Sequence, residues 1–353
     1  MNTKFRTSQL ALLAALALAA IGGGCNEADD LVVAAPMEGG LEQARDGSGP
    51  ASLSLSDLPA EMELTTDQQS RLGAALDDLS RARAEMWQER REHRQRGGKH
   101  RGAPGNRRPF EDKEPPLVTF LEKSADILNP QQFALLAGAM AERRVQLREW
   151  SEPMLEPLMD LRMGRAAKHL GLEKAQREEL RDALRGTGES IRATLGALED
   201  GSISREAARD AVKQQREAVR AQAQQILSAE QFEKAEEFRR ERVTQSVERR
   251  IEHLDDRLER RADHLSKVLA LDDAGGAQVA QILQSSAPMR ADLLRSLQDG
   301  ARAPEDVAYE VTQLEARLAD QIRAGLTPEQ ATRFDAVLEL IPRGAGLGAS
   351  RKR

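Results

Sequence analysis

Along much of this 353-residue chain, apolar residues return every three or four positions between charged ones. That step puts them on one face of an α-helix. The longest example steps by 4, 4, 3, 4, 4, 3 and 4 through Val243, Val247, Ile251, Leu254, Leu258, Ala262, Leu265 and Leu269. An eleven-residue rhythm of this kind lies close to the pitch of a straight helix, so the stripe stays on one face of a helix that over residues 228–270 would be about 60 Å long. Residues 228–270 contain neither Gly nor Pro, which predicts one uninterrupted helix. The corresponding stretch 129–170 carries Pro153 and Pro157, and each ring removes an N–H and crowds the preceding turn, which predicts a kink or break. No segment requires strands, and the fold class read from the pattern is all-α.

Helix starts recur on a fixed ruler. A Leu, a small polar residue and, three positions later, Gln or its stand-in occur at Leu64, Leu128, Leu172, Leu227, Leu271 and Leu326. The gaps are 64, 44, 55, 44 and 55 residues, so from Leu128 onward each copy has another 99 residues further on, and Gly201 and Gly300 keep that register. In Leu326-Thr327-Pro328-Glu329-Gln330 the hydroxyl of Thr327 suits the N-cap, Pro328 occupies the first helical position, and Gln330 reaches back to the cap N–H. Leu64 with Thr65 and Gln68, Leu128 with Asn129 and Gln132, and Leu227 with Ser228 and Gln231 follow the same grammar. Leu128 with Phe133 and Leu227 with Phe232 add a hydrophobic staple. Two copies read as degraded: Leu172 precedes Glu173 with Gln176 one place late, and Leu271-Asp272 meets Gly275 where Gln belongs. A periodic chain of this sort predicts tandem units, each burying its apolar faces on a neighbour or a partner. One unit reads as a helix after its first motif, a turn near Gly201 or Gly300, a helix to the second motif, and a long helix into the next unit.

The N-terminus bears on location. Lys4 and Arg6 precede an apolar run from Leu10 to Ile21 and the chain's only cysteine, Cys25, which reads as a secretory signal over 1–24. The Gly22-Gly23-Gly24-Cys25 junction resembles a lipoprotein processing site, with Cys25 receiving the lipid. By the same resemblance, Asn26 after the cysteine favours the periplasmic side of the outer membrane. A single cysteine offers no intramolecular disulfide. Residues 25–58, acidic and rich in Gly, Ser and Pro, read as a flexible tether with a reach on the order of 30 Å. The units then fall at 59–165, 166–264 and 265–342, followed by a disordered basic tail at 343–353.

Without Lys4 and Arg6 the chain keeps 50 basic against 58 acidic side chains, which argues against bulk nucleic-acid binding. One region runs the other way. Ten basic and three acidic residues lie between Arg81 and Arg108, and the Gly- and Arg-rich insertion 97–109 makes the first unit longer than the others. It reads either as a solvated loop or as a cationic patch fit for an anionic surface, an acidic client polypeptide or lipopolysaccharide phosphates, with Arg81, Arg83, Trp87, Arg90, Arg91 and Arg94 as the client-contacting residues.

Candidate chemistry is sparse. No nucleophile elbow, phosphate-cradling loop or catalytic cysteine stands in the chain, so no catalytic residue and no cofactor is expected. Runs such as Glu233, Glu236, Glu237, Arg239, Arg240 and Arg242 read as surface ion pairs. The histidines, His93, His100, His169, His253 and His264, make no i, i+4 pair, and His253 and His264 would stand about 16 Å apart along a helix. No metal site is expected.

The six motifs resemble the paired LTxxQ motifs of the Spy and CpxP family of periplasmic proteins, here as three tandem units covering most of residues 60–340. The resemblance implies long helical hairpins and a homodimer as one assembly. It also implies an ATP-independent chaperone or envelope-stress adaptor that binds unfolded or partly folded envelope proteins on helical surfaces, held to the membrane through lipid on Cys25. Two other readings stand beside it: a periplasmic metal-responsive sensor, and a passive helical scaffold lipoprotein.

Overall fold

The computed structural model describes residues 53–96, 115–199 and 201–340. The signal segment, Cys25, the insertion 97–109 and the tail 343–353 lie outside them. Among the described residues the protein is all-helical, without strands, and no helix is long and apolar enough to cross a membrane.

Eleven helices follow one another: α1 (Thr66–Arg96), α2 (Pro116–Ile127), α3 (Pro130–Leu170), α4 (Lys174–Glu199), α5 (Arg205–Ile226), α6 (Ala229–Glu252), α7 (Leu254–Val268), α8 (Asp273–Gln284), α9 (Ala287–Gln298), α10 (Pro304–Ala324) and α11 (Pro328–Leu340). A 3₁₀ turn at Leu55–Asp57 and another at Ala60–Met62 lead into α1.

The 99-residue register of the sequence reappears in backbone hydrogen bonds. Ile203 N–H donates to Ala197 C=O and Arg302 N–H to Ser296 C=O, closing the turns at Gly201 (φ +74°) and Gly300 (φ +69°). Leu172 N–H donates to Ala167 C=O and Leu271 N–H to Ser266 C=O, both at 2.9 Å. These six-to-one bonds close the last turn of a helix only if the residue before the leucine is left-handed. Gly171 meets that demand at φ +63°, Ala270 meets it at φ +50°, and Glu63, ahead of Leu64, stands at φ +44°. Ala270 and Glu63 adopt it despite their Cβ atoms, which costs roughly 1–2 kcal/mol per residue.

One large core joins the two ends of the chain. Phe120, Leu121 and Leu128 with Phe133, Leu136 and Ala137 pack in the same cluster as Leu258, Leu265, Leu269, Phe334, Val337 and Leu340. The junction is made chiefly by α3 against α11 and by α2 against α7. Arg333 on α11 also donates to the Leu128 carbonyl, 3.3 Å away. The middle of the chain has only thin cores: Met163, Leu180, Leu184, Val219 and Ala223 in one, and Ile191, Leu195 and Val212 in another, where α4 packs on α5.

Several expectations are corrected. Residues 53–58, expected in the flexible tether, turn at Leu55–Asp57, and Leu53 and Leu58 pack against the large core. Of the kink or break expected at Pro153 and Pro157, the break does not occur: α3 runs continuously from Pro130 to Leu170. Each proline removes one helical hydrogen bond, which the turns on either side tolerate.

The helix expected over 228–270 divides at His253 (φ −104°, ψ 14°) into α6 and α7. The neighbours change there, from α9, α3 and α5 around α6 to α8, α2 and again α9 around α7. The predicted stripe is buried at Val247, Leu258, Ala262, Leu265 and Leu269 but only half-buried at Val243, Ile251 and Leu254.

The single helix expected after Leu271 is two, α8 and α9. Pro288 cannot donate to the carbonyl of Gln284, where α8 ends, and the Ser286 hydroxyl donates to the Leu283 carbonyl instead.

Candidate functional site

Each full motif forms the capping box that its spelling predicts. Gln68 N–H donates to Thr65 Oγ1 (3.2 Å) while Thr65 N–H donates to Gln68 Oε1 (3.1 Å). The same reciprocal bonds join Asn129 with Gln132, Ser228 with Gln231, and Thr327 with Gln330. At the Leu172 copy, Glu173 N–H donates to Gln176 Oε1 at 3.1 Å. This corrects the reading of Gln176 as one place late, since it stands four residues after Leu172 just as Gln68 does after Leu64. At the Leu271 copy Asp272 caps α8 alone, accepting from Gly275 N–H at 2.8 Å.

The capping glutamines do a second job that a helix start alone does not reveal: they pair with each other across the chain. Gln68 Nε2 donates to Gln132 Oε1 at 3.0 Å and to the Ile127 carbonyl at 2.9 Å, while Gln132 Nε2 donates to the Met62 carbonyl at 2.9 Å. Gln176 Nε2 donates to Gln231 Oε1 at 2.9 Å and to the Ile226 carbonyl at 3.0 Å, and Gln231 Nε2 donates to the Gly171 carbonyl at 3.2 Å. Each pair is an amide clasp: oxygen caps its own helix and nitrogen ties down the partner helix's entrance. The motif spacing therefore fixes which two helix ends meet. Buried amides left without such partners would each cost about 1–3 kcal/mol.

The third pair, Leu271 with Leu326, has no clasp. Gly275 has no side chain to offer, and among the described residues Gln330 makes only its capping bonds. A cleft of about 240 Å³ opens there, lined among others by Gly275, Gln278, Val279, Ile322, Gly325 and Gln330. Gly275 was marked in the sequence as standing where Gln belongs, whereas Gln278 and Gly325 were not singled out. The available signal was register: Gly325 stands where Ile127 and Ile226 precede the other second motifs, and Gly275 where Gln68 and Gln176 stand.

Charge is also placed differently from expectation. Not all carboxylates on helices are surface partners: Glu315 and Glu305 are buried. Glu315 on α10 receives Arg261 from α7, at 2.7 and 3.3 Å, and Arg290 from α9, while Arg290 Nε holds Ser286 Oγ at 2.8 Å. Burial pulls the Arg261 guanidinium below its ordinary pKa, and the Glu315 carboxylate opposes that pull. Glu305 meets Arg216 of α5 at 3.0 Å. Beside it Tyr309 donates to Glu206 at 2.8 Å, and the Arg209 guanidinium lies 5.4 Å over the Tyr309 ring. These contacts join α5 to α10 through polar groups rather than a core.

Among the expected polypeptide-contacting residues, Arg81 is exposed and 3.5 Å from Asp78, which also holds Lys123 at 2.7 Å. Arg83 is half-buried, and desolvation lowers its pKa. Two residues apart on a helix, Arg81 and Arg83 point away from each other, so the six do not form a single face. Positions 83, 87, 90 and 94 recur on one side of α1; the side chains of Trp87, Arg90, Arg91 and Arg94 lie outside the described residues. His169 packs on Phe238, with ring centroids 4.7 Å apart, and no group of three His, Cys, Asp or Glu among the described residues could hold a metal ion. Compared with known proteins, the chain matches no family model, no curated protein and no solved structure.

Proposed function

We propose that this chain is a lipid-anchored, ATP-independent envelope chaperone or stress adaptor of the Spy and CpxP type, built from tandem helical hairpins behind a flexible tether, with no catalytic role. The observation that carries the reading is the pairing of the motif glutamines, Gln68 with Gln132 and Gln176 with Gln231. It gives paired LTxxQ motifs a structural purpose, and so strengthens the resemblance on which the function rests. Shallow helical faces, with Arg-rich positions on α1 and apolar residues interleaved, suit weak capture of partly folded chains and rapid release. The signal segment and Cys25 would place that surface beside the outer membrane.

The test is light scattering of a denatured model protein diluted into buffer with and without the purified chain from residue 26 onward, at equal molar ratio and without nucleotide. Suppressed aggregation that weakens with salt is expected. No suppression at severalfold excess overturns the reading. Replacing Arg81, Arg83, Arg90, Arg91 and Arg94 with Glu is expected to reduce both the protection and its salt dependence; unchanged protection removes α1 from the contact surface.

A further inference from the structure

The unclasped third motif pair carries a site of its own. In the first pair, the carboxamide of Gln68 lies between the Ile127 carbonyl and the amide of Gln132; in the second, that of Gln176 lies between the Ile226 carbonyl and the amide of Gln231. The corresponding groups of the third pair are the Gly325 carbonyl and the amide of Gln330, and both line the open cleft. The carboxamide that would lie between them is missing because its position is Gly275. The neighbouring Ile is missing too, because its position is Gly325. A space of about 240 Å³ lies between these elements.

Gln278, one turn beyond Gly275, does not repair the clasp. Its amide leans over Gly325, so near that a Cβ there would stand 2.9 Å from Gln278 Nε2. It forms a wall of the cleft, and among the described residues the Gln330 nitrogen has no carbonyl like those that Gln132 and Gln231 each find.

We propose that this cleft binds a primary carboxamide, supplied by a glutamine side chain of another polypeptide. The protein displays the occupant twice in its own clasps: an amide that donates to a carbonyl and to a glutamine oxygen, with its methylene stem arriving beside a helix start. The cleft offers the same two acceptors, an amide donor at Gln330, and apolar surface at Val279 and Ile322 for the stem. A carboxylate of the same shape would bring negative charge to two acceptors and to the Asp272 carboxylate on the rim, so glutamate is rejected. The site does not depend on the chaperone reading, because a single capped residue is enough to fill it.

The experiment is a titration of the whole mature chain, labelled with ¹⁵N in glycine and in the glutamine side chain, with N-acetylglutamine methylamide. Shifts of the Gly275, Gly325 and Gln330 Nε2 signals are expected to saturate with a dissociation constant on the order of 1–10 mM, the range open to a ligand of this size. N-acetylglutamate methylamide is expected to leave these signals in place. Gly275→Gln, which restores the clasp from within, is expected to abolish the titration. Gln330→Met, which keeps the stem and removes the amide, is expected to weaken it at least tenfold while leaving the helical content unchanged. Equal shifts with the glutamate compound, saturation by acetamide at the same concentration, or an unaltered titration in Gly275→Gln would each overturn the proposal.

Discussion

The amide clasp occurs in two settings within one molecule. The Gln68–Gln132 clasp sits against the large core, and Gln132 is only 9% exposed. The Gln176–Gln231 clasp has the same bonds, but Gln231 is half-buried and its neighbours Leu180, Leu184, Val219 and Ala223 form a thin patch. Among the described residues, twenty-six buried side chains hold the two ends of the chain together, against five and three in the patches of the middle. Identical local grammar thus sits on unequal cores. The clasps align helix ends, while the stability of each region comes from how many apolar faces meet behind the clasp. The middle helices α4 and α5, of which α5 meets α10 largely through charged and polar groups, are expected to open first.

The strongest challenge to this comparison is Phe334→Ala, in the large core with no exposed surface. It is expected to cost about 3–5 kcal/mol and to lower the main transition of thermal unfolding. Leu195→Ala, also without exposed surface, should cost less and lower only an earlier transition. Equal effects on one transition would show that the molecule unfolds as a single unit.

Glu315→Gln comes next. It leaves Arg261 and Arg290 largely buried without their counter-charge, and a loss of about 3 kcal/mol in denaturant unfolding is expected. A neutral result would mean that solvent reaches the pair.

Removing one glutamine from each clasp compares the two settings directly. Gln132→Ala strands the Met62 carbonyl and the Gln68 amide in buried surroundings, an expected cost of about 1–3 kcal/mol. Gln231→Ala should cost under about 1 kcal/mol, because water can replace its bonds. Equal losses would assign the clasp the same energetic weight whatever packs behind it.

The left-handed positions give a smaller effect. Ala270→Gly should gain about 0.5–1 kcal/mol, while Gly171→Ala, with open space around the new Cβ, should lose about 1 kcal/mol from the φ penalty alone.

The smallest effect is in acid. The Lys123 hydrogen bond holds the Asp78 carboxyl below its ordinary value, and Glu206 is lowered first by a backbone N–H and then by Tyr309. Because the folded-state values are the lower ones, their contribution is complete above the unfolded values near pH 4 and is lost as pH falls through the folded ones. A shallow loss of stability below pH 4 is expected, weaker in Asp78→Asn, as read from unfolding midpoints across pH 2–7.

The sequence by itself determined what depends on neighbours a few residues away: the all-helical class, the helix starts at Thr65, Asn129, Ser228 and Thr327, and the turns at Gly201 and Gly300. Each is set by a side chain or a φ angle within one turn of the chain, so local spelling suffices. It also carries the 99-residue register, which the Leu172 copy follows with Gln176 four residues after its leucine.

Tertiary structure decided the rest. That Gln68 meets Gln132, that α3 packs on α11, that His253 divides a stripe spelled as one helix, and that Glu315 is buried between two arginines all involve residues brought together from separate helices. Helical periodicity tells a residue which side of its helix it occupies, but the facing partner depends on the packing of the whole chain. The cleft at the third motif pair depends on both: two glycines mark it in the sequence, and only the folded clasps of the other pairs show which carboxamide is missing there.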